Sequence, residues 1–140
     1  MAEVTSAPAV KPSAGKVTAS ENGIVVFNPT GTRYEFRLAG SFGGQINAPV
    51  KCKFRVKARK VYTVPSGGSF VSPIYGPPRI VQGQVRTAES RSLVVQAAGC
   101  AFHVELPTDD SGIDLDDGPI FAGRLVNVVC EPGARVEFPG

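Results

Sequence analysis

"VKCKFRVKARKVYTV", residues 50 to 64, alternates between charged and apolar side chains through most of its length. Lys51, Lys53, Arg55, Lys57 and Arg59 take every second position, with Cys52, Phe54, Val56 and Ala58 between them. A period of two belongs to an extended strand with one buried and one exposed face; a helix would spread the same residues around its circumference. The stretch therefore predicts one long strand over 50–64, with Phe54 turned to a core and five cations on the opposite side. The fold class follows, because the rest of the chain repeats the pattern in shorter pieces.

Upstream, "GIVVF" (23–27) and "RYEFRL" (33–38) flank "NPTGT", whose Pro-Thr-Gly reads as a hairpin turn. Tyr34, Phe36 and Leu38 fall on one face of the second run, and Arg33, Glu35 and Arg37 on the other. A glycine-rich loop, "GSFGGQINAP", leads into the long strand. Downstream, "PSGGS" turns the chain into "FVSPIYG", Pro77-Pro78 breaks that run, and "RIVQGQVR", "SLVVQA" and "AFHVEL" follow. An acidic loop, "PTDDSGIDLDDGP", precedes "FAGRLVNVVC", and "EPG" turns into "ARVEF". About nine short strands result, with turn signals every eight to twelve residues and no amphipathic helix. Twelve prolines and sixteen glycines in 140 residues fit many short elements joined by turns. The expected architecture is all-β, a single small barrel or sandwich over residues 23–140. Residues 1–22, small, polar and punctuated by proline, are expected to be a disordered N-terminal arm.

The second half, from Arg79 to Phe138, loosely resembles small OB-like barrels. The order strand, hairpin, strand, loop, "GRLVNVV" and a last short strand carries the likeness, with the acidic loop where such folds place a helix. An internal echo also appears. "IVVFNPTGTRYEFRL" (24–38) and "LVVQAAGCAFHVEL" (93–106) align with one gap, matching Ile24 to Leu93, Gly31 to Gly99, and Tyr34, Phe36 and Leu38 to Phe102, Val104 and Leu106. Either a hairpin–loop–strand unit is duplicated, or two hairpins with small turns simply look alike.

Charge is unevenly distributed. The net charge is +3, but residues 1–80 hold eleven Lys or Arg against three Glu, and residues 81–140 hold four Arg against nine acids. Alternate side chains of a strand lie roughly 7 Å apart. Two unit charges at that distance repel by about 0.6 kcal/mol in water and about 2.4 kcal/mol at an effective dielectric of 20. Something answers five cations in line. Three readings compete: an edge strand guarded by lysines against edge-to-edge pairing; a track for a polyanion, nucleic acid first, widened by Arg33 and Arg37; or pairing with the acidic loop, within the chain or on a neighbouring copy. No aromatic residue shares the cationic face, although Tyr62, Phe70 and Tyr75 follow it and would be the stacking candidates.

The acidic loop places Asp109, Asp110, Asp114, Asp116 and Asp117 within nine residues. It is an assembly surface or a weak cation loop, but it departs from the EF-hand pattern: counting from Asp114, Gly118 falls at position five and the terminal Glu is missing. One histidine and three scattered cysteines lack zinc spacing, so no metal and no cofactor are expected. His103 and Cys100 lie three residues apart with no nucleophile motif around them, and catalysis is not expected. Phe70, Ile74 and Tyr75 in "FVSPIYGPP" form either a contact surface or a cap. Reduced cysteines, no long apolar run and no apolar leader predict a cytoplasmic protein with no membrane partner. The expected function is a non-catalytic binding module that holds a polyanion along the basic strand. The alternative is a self-associating protein whose basic strand meets a neighbour's acidic loop.

Overall fold

The structure, a computed structural model, describes residues 12–138. These residues form twelve strands: β1 (Ser13–Glu21), β2 (Ile24–Pro29), β3 (Glu35–Ala39), β4 (Pro49–Thr63), β5 (Phe70–Ser72), β6 (Tyr75–Gly76), β7 (Ile80–Ala88), β8 (Ser92–Ala97), β9 (Cys100–Glu105), β10 (Ile113–Asp114), β11 (Leu125–Cys130) and β12 (Arg135–Glu137). All belong to one sheet, whose main path runs β1-β2-β3-β12-β4-β11-β7-β8-β9. Both ends of that path also pair with β4, so the sheet returns on itself as two rings that share this strand. The expected all-β class is therefore what forms. The only helical element among the described residues is one 3-10 turn at Asp110–Gly112, where an OB-like arrangement would place a longer helix. No helix among the described residues is long and apolar enough to cross a membrane.

Alternation does the placing. On β4, Cys52, Phe54, Val56 and Ala58 are buried; after a bulge at Arg59–Lys60 the inward positions become Val61 and Thr63. An extra residue in one strand keeps the same face turned inward while the chain bends. The core centres on four phenylalanines. Phe54 meets Phe27 edge-on at 5.3 Å, Phe36 edge-on at 5.8 Å, and stacks on Phe102 at 5.2 Å. Tilted and edge contacts of this kind add about 0.5–1.5 kcal/mol each beyond the area they bury. Cys52, Cys100 and Cys130 are buried free thiols.

The two rings are built alike. β1-β2-β3 and β7-β8-β9 are both antiparallel meanders, and a bulge interrupts each first strand, between Val17 and Ala19 and between Val85 and Thr87. Val25 faces Leu38 and Phe27 faces Phe36 in the first; Leu93 faces Val104 and Val95 faces Phe102 in the second. These pairs match Val25 to Leu93, Phe27 to Val95 and Phe36 to Phe102. The sequence echo thus lies on matching strands, but its register is wrong by one residue in the first strand and two in the second. A one-residue slip exchanges the faces of a strand: Ile24 is half-exposed, whereas Leu93 is buried.

Two expectations need correction. Residues 13–21 of the expected arm form β1, paired with β2 and β4; residues 1–11 lie outside the described residues. Asn22 (φ 55°) and Gly23 (φ 79°) join β1 to β2 in the left-handed pair that a tight hairpin demands. Secondly, β4 is no edge strand. It pairs with β1, β9 and β10 along one side and with β12 and β11 along the other. Its lysines therefore guard no open edge.

Candidate functional site

The outer face of β4 carries the cation row where alternation puts it. Lys51, Lys57 and Arg59 are exposed, and Lys53 and Arg55 are half-buried. Flanking strands then bring partners that sequence spacing hides. In register, β9 sets His103 beside Arg55 and Glu105 beside Lys57. On the other side β12 sets Arg135 beside Arg55 and Glu137 beside Lys53. Arg55 Nε stands 2.9 Å from Glu137 Oε2, too misaligned for a good hydrogen bond but close enough for an ion pair. More than a third of each side chain is exposed, so water and salt screen the pair and it adds little to stability. Contact with Arg55, and then the charges of Arg135 and Lys53, hold the Glu137 carboxyl below its ordinary range. Part of the row's repulsion is thus answered inside the protein.

Over the middle of this row, at Arg55 and Lys57, lies a groove of about 870 Å³. Its floor is β4, β9 and β8, with Arg55, Lys57, His103 and Glu105 pointing into it. The turn from β7 to β8 forms one wall and brings Arg91; the Pro132–Gly133 turn and Arg135 form the other. Of the two carboxylates that line it, Glu89 is tied to its own turn, accepting a hydrogen bond from Ser92 Oγ at 3.2 Å. Glu105 faces Lys57 across the strands. Four cations against two carboxylates leave the groove positive. His103 is half-buried there; desolvation first, then Lys53 and Arg55, push its pKa below the ordinary value, with Glu137 opposing. At neutral pH it is an uncharged imidazole with one N–H to offer.

The other residues singled out by sequence fall elsewhere. Arg37 and Arg33 do not widen the row, because β12 lies between β3 and β4. Arg37 lines a separate, smaller groove of about 210 Å³ with Glu21 and Asn22, and Arg33 is exposed in the β2–β3 turn. The acidic loop runs beside the far end of its own β4, where Ile113 and Asp114 pair with Val61 and Tyr62. Its acids serve the loop: Asp109 accepts from the Ser111 N–H and Asp114 from the Asp116 N–H, each at 2.9 Å. The Asp117 carbonyl accepts from Arg124, and Asp116 is exposed. Asp110 opens the 3-10 turn.

Phe70, Ile74 and Tyr75 are exposed, and their segment bridges the rings, with β5 on β7 and β6 on β3. None of them lines the cationic groove. Tyr62, past the bulge on β4, does not line it either; its hydroxyl accepts from Asn127 Nδ2 at 2.9 Å. His103 and Cys100 point to opposite faces of β9, and burial pushes the Cys100 thiol up to about 12. They form no catalytic pair.

Sequence reasoning missed Arg91, Arg135 and the place of His103. The available signal was the alternation of "ARVEF" and "AFHVEL", which puts Arg135 and His103 on outer faces. Which strands flank β4 is a matter of topology, and no local pattern carries it. No family model, curated protein or solved structure matches this chain.

Proposed function

We propose that this protein is a non-catalytic binding module that holds a polyanion, a nucleic-acid phosphate backbone first, against the outer face of β4. One observation carries the reading: Arg55 and Lys57 form the floor of a groove whose walls add Arg91 and Arg135. A concave basic surface binds phosphates by releasing condensed counterions, with no need of base contacts. The lining has no Phe, Tyr or Trp, which fits recognition of a backbone over stacked bases.

Fluorescence anisotropy of labelled single-stranded RNA and duplex DNA at 50 and 200 mM salt tests it. Log affinity should fall with log salt at a slope of about −3 to −5, as expected for four or five neutralised phosphates. Joint replacement Arg55→Ala, Lys57→Ala should weaken binding by about tenfold to a hundredfold, one to two charged contacts. Arg33→Ala and Arg37→Ala should leave it within about twofold, being outside the groove. No binding of either nucleic acid at 50 mM salt would overturn the proposal.

A further inference from the structure

We propose further that the groove is a pocket for a compact dianion, and that on a nucleic acid it takes the terminal phosphate monoester in preference to the internal phosphodiesters. The inference rests on the reading above and narrows its ligand.

The arrangement of charge is convergent. Arg55 and Lys57 come from β4, Arg91 from the β7–β8 turn, Arg135 from β12, and His103 from β9, so donors face one volume from its floor and from two walls. A track for a running backbone would extend past the groove with equally free cations. Here the row is interrupted on one side, because Lys53 stands opposite Glu137 in register and beside the Arg55–Glu137 pair. At the other side Arg59 is exposed but lies outside the groove lining, next to the stretch of β4 on which the acidic loop pairs. The concentration of positive charge is therefore local.

Charge count points the same way. Four guanidinium or ammonium groups line the groove with two carboxylates, and Glu137 beside it offsets part of the Arg55 charge, so the groove stays net positive by between one and two charges. An internal phosphodiester carries one negative charge. A terminal phosphate monoester carries nearly two at neutral pH and presents three acceptor oxygens. Glu105 and Glu89 penalise every anion that enters, and the dianion recovers more from the four cations. Arg55, Arg91 and Arg135 supply planar forks suited to such oxygens, and the neutral His103 adds an N–H donor.

The test uses the whole protein with three probes: a single-stranded 12-mer with a 5′-phosphate, the same oligonucleotide with a 5′-hydroxyl, and inorganic phosphate, each at 150 mM salt. The phosphorylated strand should bind at least tenfold more tightly, and inorganic phosphate should displace it. Arg135→Ala, and separately Arg91→Ala on its exposed turn, should weaken the phosphorylated strand more than the hydroxyl-ended strand, so that most of the tenfold advantage is lost. Thermal unfolding of each variant confirms that it is folded. Equal affinity for both strands would overturn the pocket and leave the backbone reading standing. Binding of inorganic phosphate with neither strand bound would keep the pocket and overturn the nucleic-acid reading. Binding of none of the three would overturn both.

Discussion

Arg37 and His103 hold matching places in the two halves of the molecule. Arg37 pairs with Val26 on β2, as His103 pairs with Val94 on β8. Each lines the groove of its own half, with Ala19, Glu21, Ile24 and Val26 in the first matched by Thr87, Glu89, Ser92 and Val94 in the second. Yet the first groove measures about 210 Å³ and the second about 870 Å³. The cause is the strand that each half borrows from the other. β4 lies along β9 from Phe54 to Lys57 and delivers two cations, whereas β12 meets β3 only at Arg135 and Ala39. The interior sets two equal frames, and the length and charge of the lent strand set their different chemistry.

The largest expected effect breaks what the frames share. Phe54 lies on the strand common to both rings and contacts three other phenylalanines. Phe54→Ala should cost about 3–5 kcal/mol, read as a fall in the urea midpoint. A loss under about 1 kcal/mol would mean the rings do not depend on a common core.

A smaller effect tests whether the frames are truly equivalent. Gly15 and Gly83 occupy matching positions on β1 and β7, two residues before Val17 and Val85. A Cβ would clash with the Asn28 carbonyl oxygen at Gly15 and, more closely, with the Gln96 carbonyl oxygen at Gly83. Neither contact can be relieved by turning a side chain, since both oxygens are backbone. Gly15→Ala and Gly83→Ala should each destabilise by about 1–3 kcal/mol, with Gly83 the worse. Denaturation of the two variants in parallel decides it; an unaffected Gly15→Ala would show that β1 packs more loosely than β7.

The sequence made much of this legible, and the failures have physical causes. Alternation in β4, β3 and β9 was readable because bulky apolar residues mark one face. β1 was not, because its buried positions include Ser13 and Gly15 with Val17, and small residues leave no hydrophobic period. Asn22-Gly23 was a hairpin signal in plain view, but it needed a recognisable strand on each side to be believed. The cation row was found; the groove was not. A groove depends on what β8, β9, β12 and two turns place around the row, and those neighbours come from residues up to 84 positions away in the β4–β12 pairs.

The smallest effect separates the two grooves by proton. Of the matched pair, His103 is the one with an imidazole, the side chain that titrates near neutral pH. The groups that face His103 are Lys53 and Arg55 on β4, Arg135 and Glu137 on β12, and Glu105 two residues along β9, while β8 contributes the uncharged Val94. Burial and the two β4 cations lower the folded pKa of His103 beneath the unfolded value of about 6.5. Between those two values the unfolded chain binds more protons than the folded one, so stability rises with pH. It should be full above about pH 7 and fall as the pH drops through 6.5 toward the lower folded value. The Glu137 carboxyl, also lowered, has the acid's sign and loses its contribution only beneath the ordinary carboxylate range, so urea midpoints between pH 5.5 and 7.5 isolate the imidazole. His103→Gln should flatten that slope, and saturating sulfate should flatten it too, because an anion among the cations lets the imidazolium form. A slope unchanged by both would place the titrating group elsewhere and leave His103 no part in the chemistry that distinguishes the second groove from the first.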